Sequence, residues 1–233
     1  MGTAPVSART TLHIDPHVHT RGSFDCDEPL ERVLERAAKS VVDGLVVTDH
    51  DCVSNALAAA DRGDEYGLLV LAGVEVSTAD GHLLAVGVRS RPPDGHPLAE
   101  TVEWVRDDGG VAVVPHPFQR TRHGVSADAV PDCDGVEVFN AHALVGFRNR
   151  QAARFAARKG YPRFAGSDAH RAEDIGRAYT EVSVDARDPT AGDVLEAMRD
   201  GRTRAVGTRT SRRQYVRKLA GSAKRNSGRL FPI

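Results

Sequence analysis

Ten histidines punctuate this 233-residue sequence. Six of them, His17, His19, His50, His82, His116 and His170, sit at or beside the ends of short apolar runs. Four carboxylates, Asp25, Asp49, Glu75 and Asp168, share those places. Imidazole nitrogens mixed with carboxylate oxygens suit manganese, zinc or iron. His17, His19, Asp25, His50, Glu75, His82, His116, Asp168 and His170 offer more donors than one ion can take. The surplus points to two or three divalent ions with a carboxylate bridging between them. In His17-Val18-His19 both imidazoles fall on one side of an extended segment, because strand side chains alternate. That pair is a weak signal alone, as are Asp49-His50 and Asp168-Ala169-His170. Their joint placement carries the reading.

Donors so far apart in sequence converge only if the strand ends share one crevice, as they do in parallel α/β architectures. The chain reads in that way. Strands are expected at Thr11–Ile14, Gly44–Thr48, Leu68–Ala72, His82–Val88, Val111–Val114, Gly135–Phe139, Arg163–Ala165, Ala178–Val184 and Thr203–Val206. Helices are expected at Glu28–Val42, Val53–Glu65, Leu98–Asp108, Leu144–Lys159 and Thr190–Arg199. Asp27 is placed to cap the first of these, with Pro29 near its first turn. The alternation predicts βαβ units and a mostly parallel sheet, and about seven repeats suggest a closed barrel.

Composition narrows the function classes. Hydrophobic residues make up 40% and charged residues 27%, enough to build a packed core. No apolar run approaches the ~20 residues of a membrane span. Met1–Thr10 has no apolar stretch of the signal-peptide kind. The three cysteines, Cys26, Cys52 and Cys133, form no CxxC pair and fit a reducing, cytoplasmic setting. Neither GxGxxG nor GxxxxGK[ST] occurs, which weakens dinucleotide and P-loop readings. The net charge of −1 hides an asymmetry: from Gly201 onward there are ten Lys or Arg and no Asp or Glu. An acidic body with a basic tail points to a phosphate-bearing partner or an acidic docking surface.

The motifs resemble those of the PHP (polymerase and histidinol phosphatase) family of metal-dependent phosphoesterases. They run in order from Leu12 to Thr180: His17-Val-His19-Thr20 with Ser23-Phe24-Asp25; Val47-Thr48-Asp49-His50; Gly73-Val74-Glu75-Val76-Ser77; Gly81 to Gly87 around His82; Pro115-His116-Pro117; Glu137 to Asn140; and Gly166-Ser167-Asp168-Ala169-His170 with Gly176-Arg177-Ala178. The chain looks most similar to the short, stand-alone branch. The resemblance implies an α/β fold, a distorted (β/α)7 barrel over residues 1–207, with a short basic C-terminal tail at 208–233. It implies a trinuclear site at the barrel rim. One ion would be held by His17, His19, Glu75 and Asp168, a second by Glu75, His82 and His116, and a third by Asp25, His50 and His170. His17, His19, Glu75, Asp168 and His170 would form the catalytic core. Asp15 would orient an imidazole through its other nitrogen. Asp49 would do the same, or else serve as a turn carboxylate.

The implied activity is hydrolysis of phosphate esters by a metal-activated water at that trinuclear site. Arg177, Asn140, Arg21 and His142 are candidate substrate contacts, and Arg148 is a further cation to weigh. His13, His96 and His123 read as ordinary strand or loop histidines. Cys26 and Cys52 read as neighbours of the rim. The expected substrates are a phosphorylated small molecule, a nucleotide included, or a nucleic-acid 5′ end; the basic tail favours nucleic acid slightly. Two alternatives come from other classes: an amidohydrolase-like C–N hydrolase, and a non-catalytic metal- or phosphate-binding regulator. The sequence leaves the oligomeric state open.

Overall fold

Gly44–Val47 (β2) and Val111–Val114 (β5) are buried at every position. The sheet they join is covered on both faces, so its strands read as continuous apolar runs instead of alternating ones. The computed structural model describes residues 9–143 and 146–207. The remaining strands are β1 (Thr10–Val18), β3 (Leu69–Thr78), β4 (Gly81–Val86), β6 (Gly135–Asn140), β7 (Arg163–Gly166), β8 (Ala178–Val184) and β9 (Thr203–Gly207). The α-helices are α1 (Leu30–Ala37), α2 (Ser54–Arg62), α3 (Leu98–Asp107), α4 (Gly146–Lys159) and α5 (Ala191–Arg199). Among the described residues no helix is long and apolar enough to cross a membrane. The expected basic tail, 208–233, lies outside the described residues.

The nine strands form one sheet in the order β7-β6-β5-β4-β3-β2-β1-β8-β9. It curls into a nearly closed barrel. At the rim, β1 meets the segment after β7 through Asp168 N–H to His17 O (2.8 Å) and His19 N–H to Ala169 O (2.9 Å). Lower down, the Thr180 hydroxyl of β8 donates to Ala165 O and accepts from Ala165 N–H of β7, each at 3.0 Å. The barrel expectation holds, but "mostly parallel" does not. β1–β8, β3–β4, β4–β5 and β8–β9 pair antiparallel, against four parallel pairings. An apolar run buried on both faces looks the same in either direction, so periodicity did not reveal the reversals. The first helix also differs from expectation. It starts at Leu30, after Pro29 in extended conformation at the cap position. A residue before proline disfavours helical geometry, so the helix cannot extend back to Asp27.

Alternation along the strands sorts the core. Leu45, Val47, Val70 and Ala72 face outward onto α1 and α2. Leu83, Ala85, Ala112 and Val114 face outward onto α3 and α4. Val46, Leu71, Leu84, Val86, Val111, Val113 and Phe164 fill the interior, where Val194, Ala197 and Met198 of α5 join them. Thr190 caps α5 through a reciprocal pair with Asp193. β1 carries Pro16 where its register with β2 shifts between Asp15 and Val18, a position at which a missing N–H is tolerated. All three cysteines are unpaired; burial pushes the Cys26 and Cys133 thiols up to about 12.

Candidate metal centre

The interior changes character along its length. In β3, Leu71 points into the apolar interior, and the same face recurs at Gly73 and Glu75. Glu75 therefore enters the barrel one layer above the greasy plug and is fully buried. β4 runs antiparallel to β3, so its first residues, not its last, reach the rim. His82 lies two residues before Leu84, the register partner of Glu75, and its Nδ1 is 2.8 Å from Glu75 Oε1. β1 delivers His17 and His19. The segment after β2 delivers His50, which forms a bridge beside Glu75. His116 follows β5, and Asp168 and His170 follow β7.

Glu75 is the hub. Its Oε2 is 3.0 Å from His17 Nε2 and 3.2 Å from His19 Nε2. Its Oε1 is 2.9 Å from His116 Nε2 as well as reaching His82. His50 Nε2 lies 3.6 Å from Oε2. A second focus forms around Asp25, 2.8 Å from His170 Nε2 and 3.7 Å from His50 Nε2. The donors overlap in five groups: His19-Asp25-His50-His170, His17-Glu75-His116, His17-His19-Asp168, His50-Glu75-His82 and His142-Asp168-His170. All nine sequence-predicted donors are brought together. His142, expected as a substrate contact, joins them beside Asp168 and His170.

The donor set fits divalent cations. His19 Nε2 and Asp168 Oδ1 are buried with no hydrogen-bond partner among the described residues, and they face each other at 3.7 Å. That distance is too long for a hydrogen bond. It suits two atoms each about 2.1 Å from one ion. Backbone strain is concentrated here too: Asp168 (φ 53°) and His116 (φ 27°) hold positive φ without being glycine.

The supporting residues depart from expectation. Among the described residues Asp15 touches no imidazole; its carboxylate accepts from the backbone N–H groups of Ser167 (2.9 Å), Gly176 (3.0 Å) and His17 (3.4 Å). Glu137 is the partner of an imidazole, with Oε1 3.2 Å from His17 Nδ1 and Oε2 accepting from His116 N–H at 2.8 Å. Gly166 makes room for this: a Cβ there would lie 2.6 Å from both Glu137 Oε1 and His17 Cβ. Asp49 is the turn carboxylate, accepting from Thr20 N–H (2.6 Å) and the Thr20 hydroxyl (2.5 Å). The Ser23 hydroxyl lies 2.9 Å from His19 Nδ1 and accepts from His50 N–H at 2.8 Å.

Of the predicted substrate contacts, Asn140 is buried, and its amide donates to Glu137 and Asp168. It orders the rim. Arg177 pairs with Asp174 at 2.5 Å, and Arg148 donates to Gln151 on α4. Arg21 is exposed in the turn after His19. The cation that does reach the donors is Arg122, from a loop after β5. Its guanidinium bonds Asp168 Oδ2 and Asn140 Oδ1. No local pattern marked it out in the sequence.

Electrostatics follow from packing these groups in one place. Burial raises the Asp15 carboxyl to about 6 against its backbone hydrogen bonds. Burial and the neighbouring His170 drive His19 down to about 3. Burial also opposes charge on His170, yet the neighbouring Asp168 and Asp25 carboxylates hold it up to about 10. Glu75 and Asp168 stay well below the ordinary carboxylate range despite burial, Glu75 through His17 and His116, Asp168 through Arg122 and His17.

Residues 146–203 match the model of a PHP-associated family. A protein of Methanocaldococcus jannaschii, itself uncharacterized, is 30% identical over 152 residues, covering 60% of this chain and 89% of that one. The fold is shared with a two-domain Bacteroides vulgatus protein containing a predicted PHP-like metal-dependent phosphoesterase (TM-score 0.71, 19% identity, 85% of this chain and 65% of that one). The chain belongs to the PHP family. Two further matches are shorter. Phosphoribosyl 1,2-cyclic phosphate 1,2-diphosphodiesterase of Eggerthella lenta is 41% identical over 66 residues, 28% of this chain and 25% of that one. The 3′,5′-nucleoside bisphosphate phosphatase of Chromobacterium violaceum is 41% identical over 69 residues, 30% of this chain and 24% of that one. The chain thus matches about a quarter of the length of each of these two enzymes.

Proposed function

We propose that the rim cluster binds two or three divalent ions and hydrolyses a phosphate ester of a small molecule, such as a nucleotide, or of a nucleic-acid 5′ end. The observation that carries the reading is one buried carboxylate, Glu75, within 3.2 Å of four imidazoles, those of His17, His19, His82 and His116. In the first site His17, His19, Glu75 and Asp168 supply the donors. In the second Glu75 is shared with His82 and His116, and in the third Asp25 acts with His50 and His170. The donor types suit manganese, zinc or iron. When bound, such ions lower the pKa of a water toward neutrality and polarise the phosphoryl oxygens.

The chain's own residues do the rest. Glu137 holds the His17 ring with its Nε2 turned to Glu75, where it would serve as a ligand. Asn140 fixes the Asp168 carboxylate. Arg122 brings a fixed positive charge to the rim with a quarter of its side chain exposed, placed to meet the charge of the reacting phosphoryl group.

The test is phosphate release by purified protein supplied with Mn²⁺, Zn²⁺ or Fe²⁺, against a chelated control. The panel holds a simple monoester, a simple diester, nucleotides and a 5′-phosphorylated oligonucleotide. Turnover that needs metal is expected. Metal binding with no turnover on any ester contradicts the reading and moves the weight to a regulator.

A further inference from the structure

Phe24 is 79% exposed, one of three large hydrophobic side chains on the surface of the described residues. It is no stray surface residue. Its neighbours in the chain pin it at the metal centre: Ser23 bonds His50 N–H, and Asp25 reaches His170. One face of its ring lies flat on His50, with centroids 5.0 Å apart and 25° between planes. The high exposure leaves the other face to solvent.

Across the same opening a second pair of rings repeats the arrangement. His123 stacks on His82 at 5.1 Å and 26°. Its position is fixed: its carbonyl accepts from His82 N–H at 3.0 Å, and it holds a left-handed φ of 52°. The inner rings, His50 and His82, both border Glu75. The outer rings, Phe24 and His123, therefore stand one layer above the donors. They flank a cavity of about 370 Å³, floored by the β3–β4 hairpin and edged by the exposed Arg120. That volume is within the range of small-molecule sites, roughly 300–1,000 Å³.

Leaving an aromatic face in water forfeits the burial that would stabilise the fold. A ribose phosphate offers that face only a small, puckered, hydroxyl-bearing ring. A planar heterocycle would cover it. We propose that this cavity is a nucleobase subsite: the base of a nucleoside phosphate stacks on the free face of Phe24, opposite His123, while its ester reaches the Glu75 cluster. This rests on the phosphoesterase reading and deepens it by naming the substrate class. Every base has a stacking face, so the subsite discriminates nucleotides from base-free esters more than one base from another.

Two measurements test it. The first is the ratio of kcat/KM for adenosine 5′-monophosphate to that for ribose 5-phosphate, with metal-loaded protein. Phe24→Ala should lower the ratio about 5- to 100-fold, the loss typical of one base-stacking interaction. Phe24→Trp should keep it. The second is saturation-transfer NMR with adenosine, which has no ester, in the presence of chelator. The base protons should receive saturation from wild type and from Phe24→Trp, and not from Phe24→Ala. An unchanged ratio together with unchanged transfer in Phe24→Ala overturns the subsite. Phosphate release by a wild type that transfers no saturation to the base also overturns it and spares the phosphoesterase reading. Transfer that vanishes in Phe24→Ala, with no ester hydrolysed by wild type, supports the subsite and sinks the phosphoesterase reading.

Discussion

Arg122 closes on Asp168 at the rim of the barrel, so a guanidinium neutralises a buried carboxylate that also faces His17, His19 and His170. The pair joins a loop after β5 to the turn after β7. Arginine suits the place because its planar fork serves Asp168 and Asn140 together.

If Arg122 meets the reacting phosphate, Arg122→Ala should lower kcat/KM by roughly 10²- to 10³-fold, the loss typical of one charge-stabilising donor. Arg122→Lys should fall between, since an ammonium cannot bond both partners in the same geometry. Metal content measured alongside should stay at the wild-type level. Full activity in Arg122→Ala would remove Arg122 from the mechanism.

Glu137 holds its place through His17, and its loss should register in metal affinity. Glu137→Gln is expected to weaken metal binding about 10- to 100-fold, the range for residues that orient a ligating histidine. A competition titration against a chromophoric chelator reads this directly. Affinity equal to wild type would mean that the His17 ring is oriented without Glu137.

Gly166 tests the same contact from the packing side. In Gly166→Ala the new methyl meets Glu137 and His17 at 2.6 Å, and overpacking of this kind costs about 1–3 kcal/mol. For a chain of this size that is a fall in Tm of roughly 2–12 °C. Calorimetry or a thermal melt of the chelated protein checks it. An unchanged Tm would show that β7 and β1 can part at no cost.

Much of this was legible in the sequence, for physical reasons. β5 and β8 have the predicted bounds, because a β-branched run between turn residues leaves few other structures open. All nine predicted donors converge, because parallel strands deliver their carboxyl ends to one rim. The reversal of β4 was not legible, yet His82 still arrives, since an antiparallel strand presents its first residues there. Arg122 escaped notice, and His123 was read as an ordinary loop histidine, because a loop carries no periodicity to read. Asp15 was given a role that belongs to Glu137. Both are buried acids in strands, and only the curl of the sheet, which brings the Glu137 side chain to His17, shows which one an imidazole meets.

The most direct measurement is the metal content of purified Glu75→Gln by mass spectrometry, paired with its phosphate release. Glu75 is shared between two groups of donors, so its loss should cost at least one bound ion per chain and abolish metal-dependent hydrolysis, with the circular dichroism of the fold retained. A Glu75→Gln protein that keeps the wild-type metal content and turnover would contradict a centre built on that carboxylate.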